Sequence, residues 1–166
     1  MPIRAFTPSD LQALYAINQA STPGVSHEDS AESLGALIGL GTCLVAADEA
    51  GTPLGFINLV EPLTDAYASD NLRWLERWMK RQDTSMLYVD RIAMAEAARG
   101  QRIGQQLYEA AIAETRDRGR RWLTAEVNTD PDNPGSHRFH DRLGFVRVGE
   151  ARYKPDYAVA YYAREV

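Results

Sequence analysis

The sequence holds one cysteine, three histidines and no apolar run of membrane-spanning length. Each scarcity removes a class of function. Cys43 alone cannot close an internal disulfide. It lies in an apolar run with no histidine paired to it in sequence, and so reads as a buried structural thiol rather than a nucleophile. His27, His137 and His140 keep no metal-ligand spacing with it, so no metal site is expected, and His27 and His137 read as surface residues. Without about 20 consecutive apolar residues no transmembrane helix and no membrane partner are expected. The opening Met1-Pro2-Ile3-Arg4-Ala5-Phe6 lacks the apolar core of a secretion signal, which makes the cytoplasm the default location. Positive charge is also short: 18 Lys and Arg face 23 Asp and Glu, for a net charge of −5. That balance argues against general nucleic-acid binding.

What is present is the composition of one soluble globular domain spanning 1–166, 45% hydrophobic and 25% charged. No repeat, linker or low-complexity segment divides it. The pattern predicts a first strand at Ile3 to Phe6, then a helix capped by Thr7 with Pro8 at its first position. A second helix follows over Ser26 to Leu40, acidic at its start. Thr42 to Ala47 and Leu54 to Val60 read as a hairpin. Asp65 to Asp83 reads as an inserted helix. Its Trp74 and Trp78 suit equally a wall for an acceptor site and an amphipathic face packed on the sheet.

The centre of the chain is Tyr88 to Gly119. A strand over Tyr88 to Met94 is followed by a turn and then a helix starting near Ile103. The turn reads Arg99-Gly100-Gln101-Arg102-Ile103-Gly104. Free backbone N–H groups, a helix dipole and two arginines converge there, which suits a phosphate. The Walker pattern is absent because no Gly-Lys-Ser/Thr follows, and the three-glycine dinucleotide spacing is absent as well. Farther on come a strand over Arg121 to Asn128, a turn region, a short helix over Ser136 to Leu143, and final strands at Phe145 to Val148 and Ala158 to Tyr162.

The turn resembles the acyl-CoA turn of the GCN5-related N-acetyltransferases, Arg/Gln-x-x-Gly-x-Gly/Ala, with Arg102 standing where glycine is usual. Asn133-Pro134-Gly135-Ser136 followed by Phe139-His140-Asp141-Arg142-Leu143-Gly144-Phe145 resembles the family's second motif, with His140 in place of tyrosine. The two motifs stand in the family's order, and the resemblance extends to an uncharacterised bacterial branch of its members. It implies an α/β (α+β) fold: a central mixed, mostly antiparallel sheet of about seven strands, splayed at its central strands. About four helices plus the inserted one would flank it.

The resemblance also implies acetyl-CoA as cofactor. Its phosphates would lie on Arg99 to Gly104 and Gln105. Its pantetheine arm would lie along Ile92, Ala93 and Met94, with Asn133, Ser136, Phe139 and His140 on the other side. The reaction implied is direct attack of a primary amine on the thioester in a ternary complex. The acceptor would be a small-molecule or peptide amine, and a homodimer is compatible with the chain. A non-catalytic acyl-CoA-binding regulatory module is the alternative.

Acyl transfer needs a neutral amine, so a proton acceptor is sought. By period two, Asp90 shares a face with Tyr88, Ile92 and Met94 while Arg91 points away, which makes Asp90 the first candidate. Glu126, on a face with Thr124 and Asn128, is the second. The plainer reading of each is a paired or hydrogen-bonded structural carboxylate. His140, by position, is the candidate acid for the leaving thiolate. Tyr88, Asn128, Trp74 and Trp78 are expected to line the acceptor side.

Overall fold

Seven apolar or alternating stretches pair into a single sheet, ordered β1-β2-β3-β4-β5-β7-β6. The computed structural model describes residues 2–166. The strands are β1 (Ile3–Ala5), β2 (Thr42–Ala47), β3 (Pro53–Val60), β4 (Met86–Met94), β5 (Trp122–Asp130), β6 (Val146–Lys154) and β7 (Tyr157–Glu165). The helices are α1 (Leu11–Ala20), α2 (Ala31–Ile38), α3 (Asp70–Arg81), α4 (Ile103–Asp117) and α5 (Pro134–Arg142). All neighbouring strands are antiparallel except β4 and β5. The sheet is therefore mixed, mostly antiparallel and flanked by five helices, as the resemblance implies. No helix among the described residues is long and apolar enough to cross a membrane.

The parallel ladder of β4 and β5 joins only Met86, Leu87 and Tyr88 to Trp122, Leu123 and Thr124. Beyond it β4 stays with β3 as far as Met94, while β5 follows β7 to Asp130. The two strands part. Each leaves a backbone edge without a ladder partner in the gap, and such groups call for a partner.

A β-bulge shapes β4. Leu59 faces Val89 and Asn58 faces Arg91, so Asp90 is an extra residue. The alternation of faces therefore slips by one. Leu87, Val89 and Ile92 pack towards α4. Tyr88 packs towards α3, and Ala93 towards α1 and α2. Asp90 and Arg91 thus share the face of Tyr88. This corrects the expectation that Asp90 shares its face with Ile92 and Met94 and that Arg91 points away.

Other differences have local causes. Ser30 Oγ accepts the Ser33 N–H at 3.0 Å, so α2 starts at Ala31 and residues 24–30 stay outside the helix. β6 extends to Lys154 because it is paired along β7, which its polar sequence does not reveal. α3 packs on the sheet: Trp74 stacks on Tyr161 at 4.1 Å and 11°, and Trp78 meets Trp122 edge-on at 5.6 Å. Cys43 is buried, and burial pushes its thiol up to about 12.

Trp74 also lies over Gly149, where a Cβ would sit 2.3 Å from the indole. Gly149→Ala should lower stability by about 1–3 kcal/mol through this overpacking. The measurement is urea unfolding, where a lower midpoint at unchanged slope is expected.

Candidate active site

The gap between β4 and β5 opens into a cleft of about 1180 Å³ that runs through the sheet. Arginines stand at one end and carboxylates at the other. The arginine end is built by the turn into α4. Gly100 takes φ +81° and Arg102 takes φ +57°, the left-handed region. Arg102 therefore holds a backbone that glycine adopts freely, at a steric cost, and adds a cation. The first-turn N–H groups of α4 have no intrahelical partner and face this end with the positive pole of the dipole. Arg99, Arg102 and Arg142 line it, and none is paired with a carboxylate among the described residues.

Gly104 has a different reason to be small. A Cβ there would meet Met94 Sδ at 2.9 Å and the Phe139 ring at 3.2 Å, so it allows α4 to approach β4 and α5. Gly100, Ile103 and Gln105 line the cleft with Ile92, Ala93 and Met94. Gln101 does not line it, and its amide turns back to the Ala97 carbonyl at 3.4 Å. Asn133 caps α5 by accepting the Ser136 N–H at 3.3 Å, which leaves its amide N–H₂ for a ligand in the cleft. Ser136 and Phe139 line the same wall.

His140 is only 2% exposed, within a cage that includes Tyr108, Phe139, Phe145 and Tyr162. Its Nδ1–H donates to the Ser136 carbonyl at 2.8 Å. Nε2 therefore accepts from the Tyr108 hydroxyl at 2.7 Å. Burial lowers the imidazole pKa, so the ring is held neutral. In this arrangement its one N–H is committed, which corrects the expectation of a free acid. Tyr108 is a site residue that sequence reading missed. Burial raises its hydroxyl pKa, so it serves as a neutral donor. His137, expected at the surface, links Tyr162 and the Asn128 carbonyl at 2.6 and 3.0 Å.

At the other end Asp90 and Glu126 meet the cleft in opposite conditions. Asp90 is ion-paired with Arg91 Nε at 2.8 Å and accepts from the Tyr67 hydroxyl and, at 3.4 Å, from Asn58. Arg91 also holds Glu28 at 3.2 Å and Asn18 at 2.8 Å. The Asp90 carboxylate is thus ion-paired and held by two further donors. Glu126 forms no ion pair among the described residues. It accepts from the Tyr88 hydroxyl at 2.7 and 2.9 Å and from Asn71 Nδ2 at 3.2 Å. Burial, with the nearby Asp90 charge, pushes its carboxyl up to about 8 against the opposing Tyr88 bond. Asn71 is itself aimed: it donates to Tyr157 at 3.1 Å and accepts from Tyr161 at 2.8 Å.

The acceptor-side expectations fare unevenly. Asn128 lines the cleft and holds the Pro23 carbonyl at 3.0 Å, fixing the α1–α2 loop. Tyr88 is fully buried and meets Glu126 instead of the cleft. Trp74 and Trp78 are away from it, on α3 against the sheet. The inserted segment reaches the site through Tyr67 and Asn71, which spacing alone did not single out.

A strand-splayed sheet with a cationic helix turn at the gap defines an acyl-CoA-dependent transferase fold. Residues 11–145 match the model of the Acetyltransferase (GNAT) family, and the chain belongs to that family. No curated protein matches the sequence significantly. Among solved structures it is similar to a ribosomal-protein-alanine N-acetyltransferase from Brucella melitensis, at 22% identity and TM-score 0.74 over 100% of both chains. It is also similar to a phosphinothricin acetyltransferase from Sinorhizobium meliloti in complex with AcCoA. That match has 19% identity and TM-score 0.73 over 99% of this chain and 88% of the other. A GCN5-related N-acetyltransferase from Kribbella flavida matches at 18% identity and TM-score 0.73, over 99% and 97%. These likenesses show the fold. The family uses acetyl-CoA as acyl donor, and this cleft fits it. Unpaired arginines and helix N–H groups suit the phosphates, and the open strand edges suit an amide-bearing arm.

Arg102→Gly separates the two effects of that residue. It relieves a left-handed backbone worth about 1–2 kcal/mol, offset by the added freedom of glycine in the unfolded chain. The melting temperature should hold or rise slightly, while CoA affinity by calorimetry should fall about tenfold with the lost cation.

Proposed function

We propose that the chain is an N-acetyltransferase that transfers acetyl from acetyl-CoA to a primary amine by direct attack, with Glu126 as the proton acceptor. The supporting observation is Glu126: a carboxyl without an ion pair among the described residues, facing the cleft and pushed up to about 8. A simple alkyl ammonium has a pKa near about 10, and an ordinary Glu carboxyl near about 4.3. Raising the carboxyl to about 8 removes most of that mismatch. Asp90, already ion-paired with Arg91 and bonded by Tyr67 and Asn58, supports Glu126 as a neighbouring negative charge and not as the base.

Acetyl-CoA, when bound, supplies the thioester that the amine attacks. The free edge of β4 at Ile92 to Met94 offers backbone N–H donors for the developing oxyanion. Tyr108 and His140 form a neutral pair that orients the wall beside the leaving group. Cys43 is buried, raised to about 12 and outside the cleft, which supports direct attack over a covalent enzyme intermediate. A purely binding module would gain nothing from a carboxylate held so far from its ordinary range, which favours catalysis. The acceptor is a small-molecule or peptide amine.

Glu126→Gln should lower kcat/KM for the amine about a hundredfold or more at neutral pH. Wild-type kcat/KM should rise with pH to a limb near 8, and the variant should lose that limb. If Asp90→Asn shows this loss and Glu126→Gln does not, the assignment moves to β4. Stability gives an independent readout. The folded-state carboxyl is raised, so between about 4.3 and 8 folding takes up a proton and wild-type stability falls as pH rises. The melting temperature of Glu126→Gln relative to wild type should therefore increase across that window.

A further inference from the structure

The cleft's acceptor end is closed by three parts: the α1–α2 loop at Ser21 to His27, the end of β5 at Asn128 and Asp130, and the β6–β7 turn at Asp156 and Tyr157. The turn is tied to Glu126, because Tyr157 and Glu126 both lie within 3.2 Å of the same Asn71 nitrogen. The β6–β7 turn therefore stands beside the end of the cleft where Glu126 lies.

The cations that line this end, Arg91 and His27, are already committed, and Lys154, exposed beside the β6–β7 turn, does not line the cleft. Arg91 is held by Asp90, Glu28 and Asn18. Arg152 is held by Asp130 at 2.8 Å and by the Pro155 carbonyl at 2.9 Å. His27 is bonded to Gln19 at 2.8 Å and stands beside Asp29. The unpaired arginines that line the cleft, Arg99, Arg102 and Arg142, belong to the turn into α4 and to α5, at the opposite end. Asp156, by contrast, is exposed in the turn and has no cation against it among the described residues.

Resting on the acetyl-transfer reading, we propose that the acceptor is a primary amine that bears no carboxylate near the reacting nitrogen, its neighbouring groups being neutral or cationic. A free α-amino acid would bring its carboxylate among Glu126, Asp90 and Asp156, where no lining residue offers a free cation to receive it. An anion set beside like charges without a partner is disfavoured. A diamine, an aryl-alkyl amine or an amidated residue brings no such charge.

The test uses the full chain with acetyl-CoA and matched pairs that differ only in the carboxylate: putrescine with ornithine, tyramine with tyrosine, glycinamide with glycine. Thiol release is followed with each. The partner without the carboxylate should give kcat/KM at least tenfold higher in each pair. Asp156→Arg should narrow that ratio by severalfold while the KM for acetyl-CoA stays constant. Equal or higher kcat/KM for the carboxylate-bearing partners overturns the proposal and leaves acetyl transfer standing. A ratio that Asp156→Arg leaves untouched also counts against it, because the charge of the turn would then not set the preference. No thiol release with any amine, from protein that binds CoA by calorimetry, overturns the acetyl-transfer reading and this inference with it.

Discussion

The rest of the structure depends on how briefly β4 and β5 stay together. Three residue pairs hold them in parallel, and after Tyr88 and Thr124 each strand follows its other neighbour. That parting makes the cleft and leaves unsatisfied backbone edges inside it. It also lets one ligand meet both faces of the sheet. The face bearing α4 and α5 presents arginines and a helix terminus, and the opposite face presents carboxylates and tyrosines. A closed sheet would keep these chemistries apart. The ends of the cleft differ in charge because the helices on the two faces differ.

Two carboxylates on neighbouring strands illustrate how environment assigns roles. Asp90 has a guanidinium against it, whereas Glu126 has only neutral donors from Tyr88 and Asn71. The first is paired with a cation, and burial pushes the carboxyl of the second up to about 8. Neither condition is a property of the residue type. Both arise from side chains far away in sequence: Tyr67 and Asn71 from the inserted segment, and Asn18 from α1 with Glu28 from the loop before α2, acting through Arg91. A buried carboxyl of this kind weakens the fold locally, as functional sites commonly do.

The legible parts of the sequence were those with local causes. Glycine and arginine spacing marked the α4 turn, and the Asn133 to Phe145 pattern marked α5, since turn chemistry and capping act over a few residues. Arg91 was misread because a bulge has no local sequence mark, and period two gives the wrong face once one residue is extra. His140 lines the cleft, but the commitment of its ring was not legible, because Tyr108 lies 32 residues away. Trp74 and Trp78 have the spacing of any amphipathic face, and only Tyr161, Gly149 and Trp122 show which surface they cover. Tyr108 gave one usable signal, a hydroxyl set beside Leu107 and Ala111 on the buried side of a helix.

The bulge at Asp90 can be considered as a matter of scansion. Remove that one residue and the faces of β4 alternate without a break: Val89 towards α4, Arg91 away, Ile92 towards α4, Ala93 away. The ladder with β3 would then run unbroken from Met94 to Tyr88. Asp90 is thus supernumerary to the sheet, and the fold's own hydrophobic grammar is complete without it. Yet a bulge bends and overtwists its strand, and this one stands two residues past the last pair with β5. A lineage that lost Asp90 would keep a well-paired sheet and would lose, in one codon, both a charge beside Glu126 and the bend that helps to hold the two central strands apart.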